Sequence, residues 1–268
     1  QFSRRSPGRA DGRAMPELAY IGKSIPRVDA PEKVTGRAVY TLDLQLPKML
    51  FGKLKASEVP HALIKNIDTS RAEALPGVRL VLTGEDMPVD LKWGVMPVCY
   101  DQVPLARGKV RFIGESVAAV VATSDEVAKD ALDLIEVEYE ELPAVFDPFE
   151  AMREGAPVIH VEKPNNIAFT KHMEFGEVDK AFDEAADVSE ISTSTSRQAH
   201  CCFETHVSIA EWSANGNLTV YNSSQCPSLS HQYFSKLLHI PESKVRVITN
   251  FVGGGFGGKA TSKFNIDF

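Results

Sequence analysis

Three short stretches carry residue types that could do chemistry. The first is Gly253-Gly-Gly-Phe-Gly-Gly-Lys259, five glycines around a single Phe256. It satisfies Gly253-x-Gly255-x-x-Gly258, the spacing of a dinucleotide-binding turn, and most of a Walker loop in Gly253-x4-Gly258-Lys259. The Walker pattern needs Ser or Thr after the lysine to hold magnesium, and Ala260 stands there. Both patterns also need a helix whose N-terminus faces the phosphates. The stretch Ala260-Thr-Ser-Lys-Phe-Asn-Ile-Asp-Phe268 is a poor helix former. What survives is a loop of bare backbone N–H groups that can approach a polar or anionic ligand closely, with one aromatic at its tip. A tight turn tucked under the core is the alternative; so many glycines cost stability unless a close approach requires them.

The second stretch is His200-Cys-Cys-Phe-Glu-Thr-His206. On a strand, His200, Cys202, Glu204 and His206 would share one face, which is metal-ligand chemistry by residue type. Same-face neighbours on a strand lie about 6.6 Å apart, so two could clasp one ion but four could not. A paired, hydrogen-bonded polar face is the simpler expectation. The third stretch is Ser223-Ser-Gln225-Cys-Pro227, at a strand end just before a helix. Gln225 there can offer an amide N–H at a sheet edge, where the ligands of α/β proteins gather. No Gly-x-Ser-x-Gly elbow, His-Glu-x-x-His pair or EF-hand loop is present in the sequence.

The 268 residues that must position these groups have length for two domains, with 43% hydrophobic and 24% charged residues, enough to build a sizeable core. A formal charge of -7 argues against a nucleic-acid partner, which needs a basic face, and favours small molecules or other proteins. The apolar run Val117–Ala122 is far short of the roughly 20 residues that span a bilayer, so no membrane association is expected. Cys99, Cys201, Cys202 and Cys226 match no zinc or iron–sulfur spacing. The expectation is a reducing, cytoplasmic compartment, with any iron–sulfur centre on another chain. Residues 1–14 are polar and Arg-rich without an apolar stretch behind Arg4-Arg5; they read as a disordered tag or upstream remnant, with Met15 as the native start.

Strands are expected at 49–56, 61–65, 77–83 and 109–113, and a central strand at 117–122, apolar on both faces. A capped helix is expected at 69–75. Ser124 opens an amphipathic helix to Ile135, with Val127, Ala131, Leu132 and Ile135 on one face, and a strand follows at 136–140. The Pro-rich stretch 148–166 reads as a linker. Beyond it come strands at 168–175, 187–195 and 205–212, a helix at 177–186, and a tight turn at Asn215-Gly216-Asn217. A strand at 218–221, a helix at 228–240 and a strand at 244–249 lead to the glycine loop. This is a mixed α/β chain.

In this order the pieces resemble the molybdenum hydroxylases of the xanthine oxidase type. The resemblance is carried by Ile21-Gly-Lys-Ser-Ile-Pro-Arg-Val-Asp-Ala-Pro-Glu-Lys-Val-Thr-Gly-Arg-Ala-Val-Tyr40, Pro60-His-Ala-Leu-Ile-Lys65, Ala74-Leu-Pro-Gly-Val78, Val110-Arg-Phe-Ile-Gly-Glu-Ser-Val-Ala118 and Ile135-Glu-Val-Glu-Tyr-Glu-Glu-Leu-Pro143. It runs from about Tyr20 to Lys259. It implies an α/β hammerhead domain over 15–148, a linker over 149–166, and the N-terminal portion of a molybdopterin-binding domain over 167–268. Gln225 takes the place of the family's Gln that reaches the molybdenum's apical oxygen. Gly254, Gly255, Phe256 and Gly257 match its Gly-Gly-Phe-Gly-Gly loop beside the metal; Gln225 and Phe256 lie near the metal without ligating it. Glu204 matches a Glu-x-His segment that supports the cofactor.

The resemblance further implies a molybdenum–molybdopterin cofactor, in its cytosine dinucleotide form, with [2Fe-2S] clusters and FAD on partner chains. The reaction it implies is oxidative hydroxylation of a small molecule. Asp86-Met-Pro88, Gly94-Val-Met-Pro97 and Val103–Arg111 most resemble the large subunit of 4-hydroxybenzoyl-CoA reductase, which removes a ring hydroxyl. Ala260 departs from the Glu that often follows Gly-Gly-Lys. The family's catalytic Glu and second molybdopterin domain are expected beyond residue 268, so the chain alone is expected to be inactive. Two other readings remain: a non-catalytic split-gene piece that joins separate chains, and a P-loop-like nucleotide-binding module built on Gly253–Lys259.

Overall fold

The apolar run at 117–122 forms the centre of a sheet, as its two apolar faces require. The structure, a computed structural model, describes residues 18–94 and 100–260. The segment 1–14, Met15, Cys99, part of Gly94–Pro97 and the tail 261–268 lie outside the described residues. The chain falls into two units, Gln1–Ala38 and Val39–Phe268. The described part of the first holds one short helix, α1 (Ala30–Val34), with Pro31 in its first turn. Hydrogen bonds from Arg27 and Lys33 hold the pKa of the Asp29 carboxyl down to about 2.

The second unit begins with β1 (Phe51–Ala56), β2 (Ala62–Asp68), α2 (Ser70–Glu73) and β3 (Val78–Thr83). Next come β4 (Lys109–Val110), β5 (Ser116–Ala122), α3 (Asp125–Asp133) and β6 (Glu136–Glu141). They form two antiparallel sheets, β1-β5-β3 and β4-β2-β6. Alternation along β5 divides its side chains between two cores. Ala118 and Val120 pack with Ala72, Ala131 and Ile135, and Val117 packs with Ala62, Ala106 and Val110 of the other sheet. The expected strand at 109–113 shortens to two residues. Gly114, at φ 93°, turns the chain there, and its N–H bonds to the Ser57 carbonyl at 2.8 Å.

Ser124 caps α3 as its residue type predicts: its hydroxyl accepts from the Val127 N–H at 3.2 Å. Ser124→Ala should therefore cost about 1 kcal/mol. Urea unfolding would show it as a lower midpoint with an unchanged slope; an unchanged midpoint would count against the cap.

The stretch expected as a linker contains α4 (Pro148–Ala151), capped by Asp147, which accepts from the N–H groups of Phe149 and Glu150. Asn166 ties its far end down, accepting from the Ile159 N–H and donating to the carbonyls of Ala151 and Pro157. After it come α5 (Val178–Asp183), β7 (Ser208–Trp212), β8 (Leu218–Asn222), α6 (Pro227–Leu237) and β9 (Val245–Ile248). The third sheet is ordered β7-β8-β9. The turn at 215–217 joins β7 to β8 with Gly216 at φ 77°, and α6 packs Phe234 on Leu218, Val220 and Val245. The strands expected at 168–175 and 187–195 are not laddered: a strand exists only with a neighbour, and no described residue offers one. Among the described residues, no helix is long and apolar enough to cross a membrane.

Candidate functional site

β8 and β9 run parallel, with Leu218 opposite Val245 and Tyr221 opposite Ile248. A parallel pair needs a crossover, and α6 supplies it. Because both strands point the same way, their carboxyl ends open on one edge of the sheet. β8 runs into Ser223–Gln225 and β9 into the loop 253–259, so two segments some 30 residues apart in sequence meet. The Gln225 N–H donates to the Lys259 carbonyl at 2.8 Å, and Gln225 Oε1 accepts from the N–H groups of Gly257 at 3.1 Å and Lys259 at 3.2 Å.

Two N–H donors aimed at one atom of the Gln225 amide identify that atom as the oxygen. The Nε2 end then remains as a donor on an exposed residue at the sheet edge. Gly255 leaves room for the glutamine: a Cβ there would lie 2.5 Å from Gln225 Cδ and 2.7 Å from Cγ and would displace that side chain. Gly254 and Gly257 take positive φ values of 101° and 92°. Phe256 takes φ 49°, a conformation costing a non-glycine residue roughly 1–2 kcal/mol, and its ring stands 75% exposed at the loop tip. Strain of this kind persists where the surroundings over-determine it, and it clusters at ligand sites.

Below the loop, Glu204 and Lys259 form a buried ion pair with Nζ to Oε2 at 2.8 Å; their side chains are 6% and 1% exposed. The same Oε2 accepts from the Gly253 N–H at 2.8 Å, and the Glu204 N–H donates to the Gly253 carbonyl at 3.2 Å. Glu204 Oε1 is buried with no hydrogen-bond partner. His206 Nε2 lies 3.0 Å from the Gly258 carbonyl, which assigns the proton to that nitrogen. The His200 ring lies against the loop, where a Cβ on Gly258 would come within 2.9 Å of its Cγ. These groups fix both ends of the loop from beneath. The amides of Gly254, Gly255 and Phe256 have no partner among the described residues.

Two expectations from the sequence are corrected. His200–His206 is not a strand, because Cys201 adopts φ 44° and ends the alternation; the residues therefore do not share a face. Among the described residues, no group of three or more His, Cys, Asp or Glu side chains could hold a metal ion. Polar pairing, the simpler of the two expectations, is what Glu204 and His206 do. The Walker alternative also fails: Lys259 Nζ is committed to Glu204 under the loop, and the Gly257 and Lys259 amides are spent on Gln225. Lys259 as a buried ion-pair partner was not foreseeable, since its only sequence signal is a charge beside glycines, 55 residues from Glu204.

A cleft of about 820 Å³ lies elsewhere in this unit, lined by Arg107, Arg111, His160, Phe146 and others, and by neither Gln225 nor the glycine loop. Burial and the neighbouring Arg111 charge push the His160 pKa down.

The site is an array of donors on a loop at a sheet edge: one side-chain amide, and the backbone N–H groups of Gly254, Phe256 and the buried Gly255, which have no partner among the described residues. It suits a group rich in hydrogen-bond acceptors, such as a pterin carrying oxo ligands. Residues 35–143 match the family model of the aldehyde oxidase and xanthine dehydrogenase a/b hammerhead domain, and residues 159–268 that of the molybdopterin cofactor-binding domain. The chain belongs to the molybdenum hydroxylase family, within the molybdopterin-binding large subunit.

Among its relatives, the nicotinate dehydrogenase large molybdopterin subunit of Eubacterium barkeri is 38% identical over 243 residues, 91% of this chain and 56% of that protein. The nicotine 6-hydroxylase large subunit of Paenarthrobacter nicotinovorans is 36% identical over 248 residues, 90% of this chain and 30% of its own. The solved structure of reconstituted CO dehydrogenase from Oligotropha carboxidovorans superposes with TM-score 0.83 at 36% identity, covering 91% of this chain and 32% of the other. This chain thus spans about half the length of the first relative and about a third of the others.

Proposed function

We propose that the chain forms the hammerhead and first cofactor-binding portions of an enzyme that hydroxylates or dehydroxylates a small organic molecule. Its substrate would be an aromatic or heteroaromatic compound, an aldehyde or an aromatic CoA thioester. The proposed boundaries are 15–148 for the hammerhead domain, 149–166 for the linker and 167–268 for the cofactor-binding portion. The observation that carries the proposal is the pinned Gln225 amide facing outward beside the unpartnered amides of Gly254, Gly255 and Phe256. A molybdenum–molybdopterin group, here proposed in its cytosine dinucleotide form, supplies two-electron redox chemistry when bound.

This chain's residues bind and orient. Gln225 donates its Nε2–H to an acceptor of the cofactor, with no freedom to rotate because its oxygen is already held twice. Gly254, Gly255 and Gly257 let backbone come close, and Phe256 covers the loop tip with an apolar ring that keeps water away. The remainder of the large subunit supplies the proton-transfer Glu, and iron–sulfur and FAD subunits carry electrons away. The relatives that act on nicotinate and nicotine point toward nitrogen heterocycles. The segments 86–88 and 103–111 point toward a 4-hydroxybenzoyl-CoA reductase type. A substrate panel on the assembled enzyme, with an artificial electron acceptor, separates the two.

The expected result for the isolated chain is no bound molybdenum and no turnover, with both present once the remaining subunits are co-expressed. Elemental analysis showing stoichiometric molybdenum in the isolated chain, or none in the assembly, would overturn the proposal. Acid release of CMP from the assembly tests the dinucleotide form.

A further inference from the structure

The cleft of about 820 Å³ in the second unit has the size of a small-molecule site, and its walls are tied in place. One wall is the β3–β4 connection. Gly84 lies so close to Ala106 that a Cβ on it would come within 2.7 Å of the Ala106 carbonyl carbon, which keeps the two ends of that connection together. Another wall is the stretch 145–168. Lys109 Nζ fixes it to β4 by donating to the carbonyls of Val158 at 3.0 Å and Ile159 at 3.1 Å, and Asn166 closes it on itself.

The lining departs from the acidic character of the chain. Lys92, Arg107, Arg111, Lys163 and Arg197 outnumber the acids beside them, in a protein of formal charge -7. Of those acids, Asp147 is spent on the cap of α4. Lys92, Lys163 and Arg197 form no ion pair among the described residues. Arg111 is tethered but only half used. Its Nη1 donates to the Lys109 carbonyl at 3.2 Å and lies 3.6 Å from Glu115 Oε1. Nε is buried without an acceptor and Nη2 donates to no described residue, so the guanidinium edge that grips a carboxylate side-on is idle. Burial, and after it the Arg111 charge, push the pKa values of Lys109 and His160 down, with Asp101 and Glu162 offsetting part of the effect at His160. An anion at this pole relieves the repulsion.

The rest of the lining is apolar and faces water. Phe146 is 73% exposed and Val89 72%, with Tyr100 and Met152 beside them. Apolar surface next to a few convergent polar groups is the composition of a ligand site. We propose that this cleft binds a small organic anion, a carboxylate on an aromatic body, with the carboxylate on Arg111 and the ring against Phe146 and Tyr100. A bare inorganic anion would leave the apolar wall in water, and a neutral aromatic would leave the Arg111 edge idle. The proposal does not rest on the cofactor reading, because neither Gln225 nor the glycine loop lines the cleft.

The same wall carries its own reporter. Trp93 follows Lys92, is 2% exposed and meets the ring of Tyr233 on α6 edge-on at 4.0 Å, so a ligand that engages Lys92 changes its surroundings. Trp212, the other tryptophan, stands in β7 and is not part of the lining.

The test titrates the chain by calorimetry with three probes: 2-naphthoate, its neutral isostere 2-naphthamide, and inorganic phosphate. The expected result is a Kd for 2-naphthoate of about 0.1–1 mM, the range that a ligand of this size reaches, and at least about 10-fold weaker binding of the other two. The indole N–H signal of Trp93 should shift on titration while that of Trp212 stays; Trp212→Phe assigns the two signals. Arg111→Gln should weaken 2-naphthoate at least about 10-fold and leave the amide unaffected. Should that variant unfold, Lys163→Met, at an exposed side chain without an ion pair, should weaken it about 3-fold with the fold intact. Phe146→Ser should weaken 2-naphthoate and the amide alike. No binding up to about 10 mM, equal binding of naphthoate and naphthamide, phosphate binding as tightly as naphthoate, or a shift at Trp212 alone would overturn the proposal. So would 2-naphthoate binding that folded Arg111 and Lys163 variants leave unchanged, or binding by the chain that the assembled enzyme lacks.

Discussion

Glu204→Ala is expected to destabilise the unit containing the glycine loop by about 3–5 kcal/mol, the usual cost of leaving one member of a buried ion pair without its counter-charge. Lys259 Nζ is 2.8 Å from Glu204 Oε2, and the lysine side chain is 1% exposed, so water cannot replace the carboxylate without opening the loop. The Gly253 N–H, 2.8 Å from the same oxygen, loses its acceptor in the same step. Removing both charges is different in kind. Glu204→Ala combined with Lys259→Met fills much of the space without a buried charge and should recover most of the loss. Urea unfolding followed by Trp212, which ends β7 in the same sheet, measures both effects. A single variant within 1 kcal/mol of the parent would mean that the pair is not closed as described.

Gly255→Ala is expected to weaken cofactor retention by the assembled enzyme. The new Cβ would occupy the position of the Gln225 side chain, 2.5 Å from Cδ, so the glutamine must swing out. The Gly257 and Lys259 N–H groups then lose their shared acceptor, and the Nε2 donor leaves the sheet edge. Loss of the Nε2 donor, a hydrogen bond of about 1 kcal/mol, corresponds to roughly 5-fold weaker retention of molybdopterin by the assembled enzyme. Gly255→Ala with Gln225→Ala relieves the crowding without restoring the donor. It should regain stability while molybdenum content stays low. Normal molybdenum content in the single variant would remove Gln225 from the site.

The legibility of this protein from its residues follows the range of the interactions involved. β5 was readable because Val117–Ala122 is apolar on both faces, a pattern few other elements share. α3 was readable because its cap, Ser124, and its first acids lie within one turn of each other. At 168–175 and 187–195 residues of strand type form no ladder among the described residues, because a strand also requires a neighbour. At His200–His206 one residue, Cys201 at φ 44°, interrupts the alternation that a shared face would need.

For the site, Gln225, Gly254, Gly255, Phe256 and Gly257 stood out in the sequence by residue type, since glycine runs and strand-end amides have few other uses. Their mutual arrangement was not readable. That Gln225 presents its nitrogen and not its oxygen depends on two amides 32 and 34 residues away. That Lys259 supports the loop from below, and does not reach out from it, depends on a carboxylate 55 residues away. Residue types and local spacing thus determined which groups could act and which short elements carry them, because those preferences are set within a few residues. Which partner satisfies each group was decided only when the parallel pairing of β8 and β9 brought distant segments to one edge, because hydrogen-bond and charge pairing depend on distance in space and not in sequence.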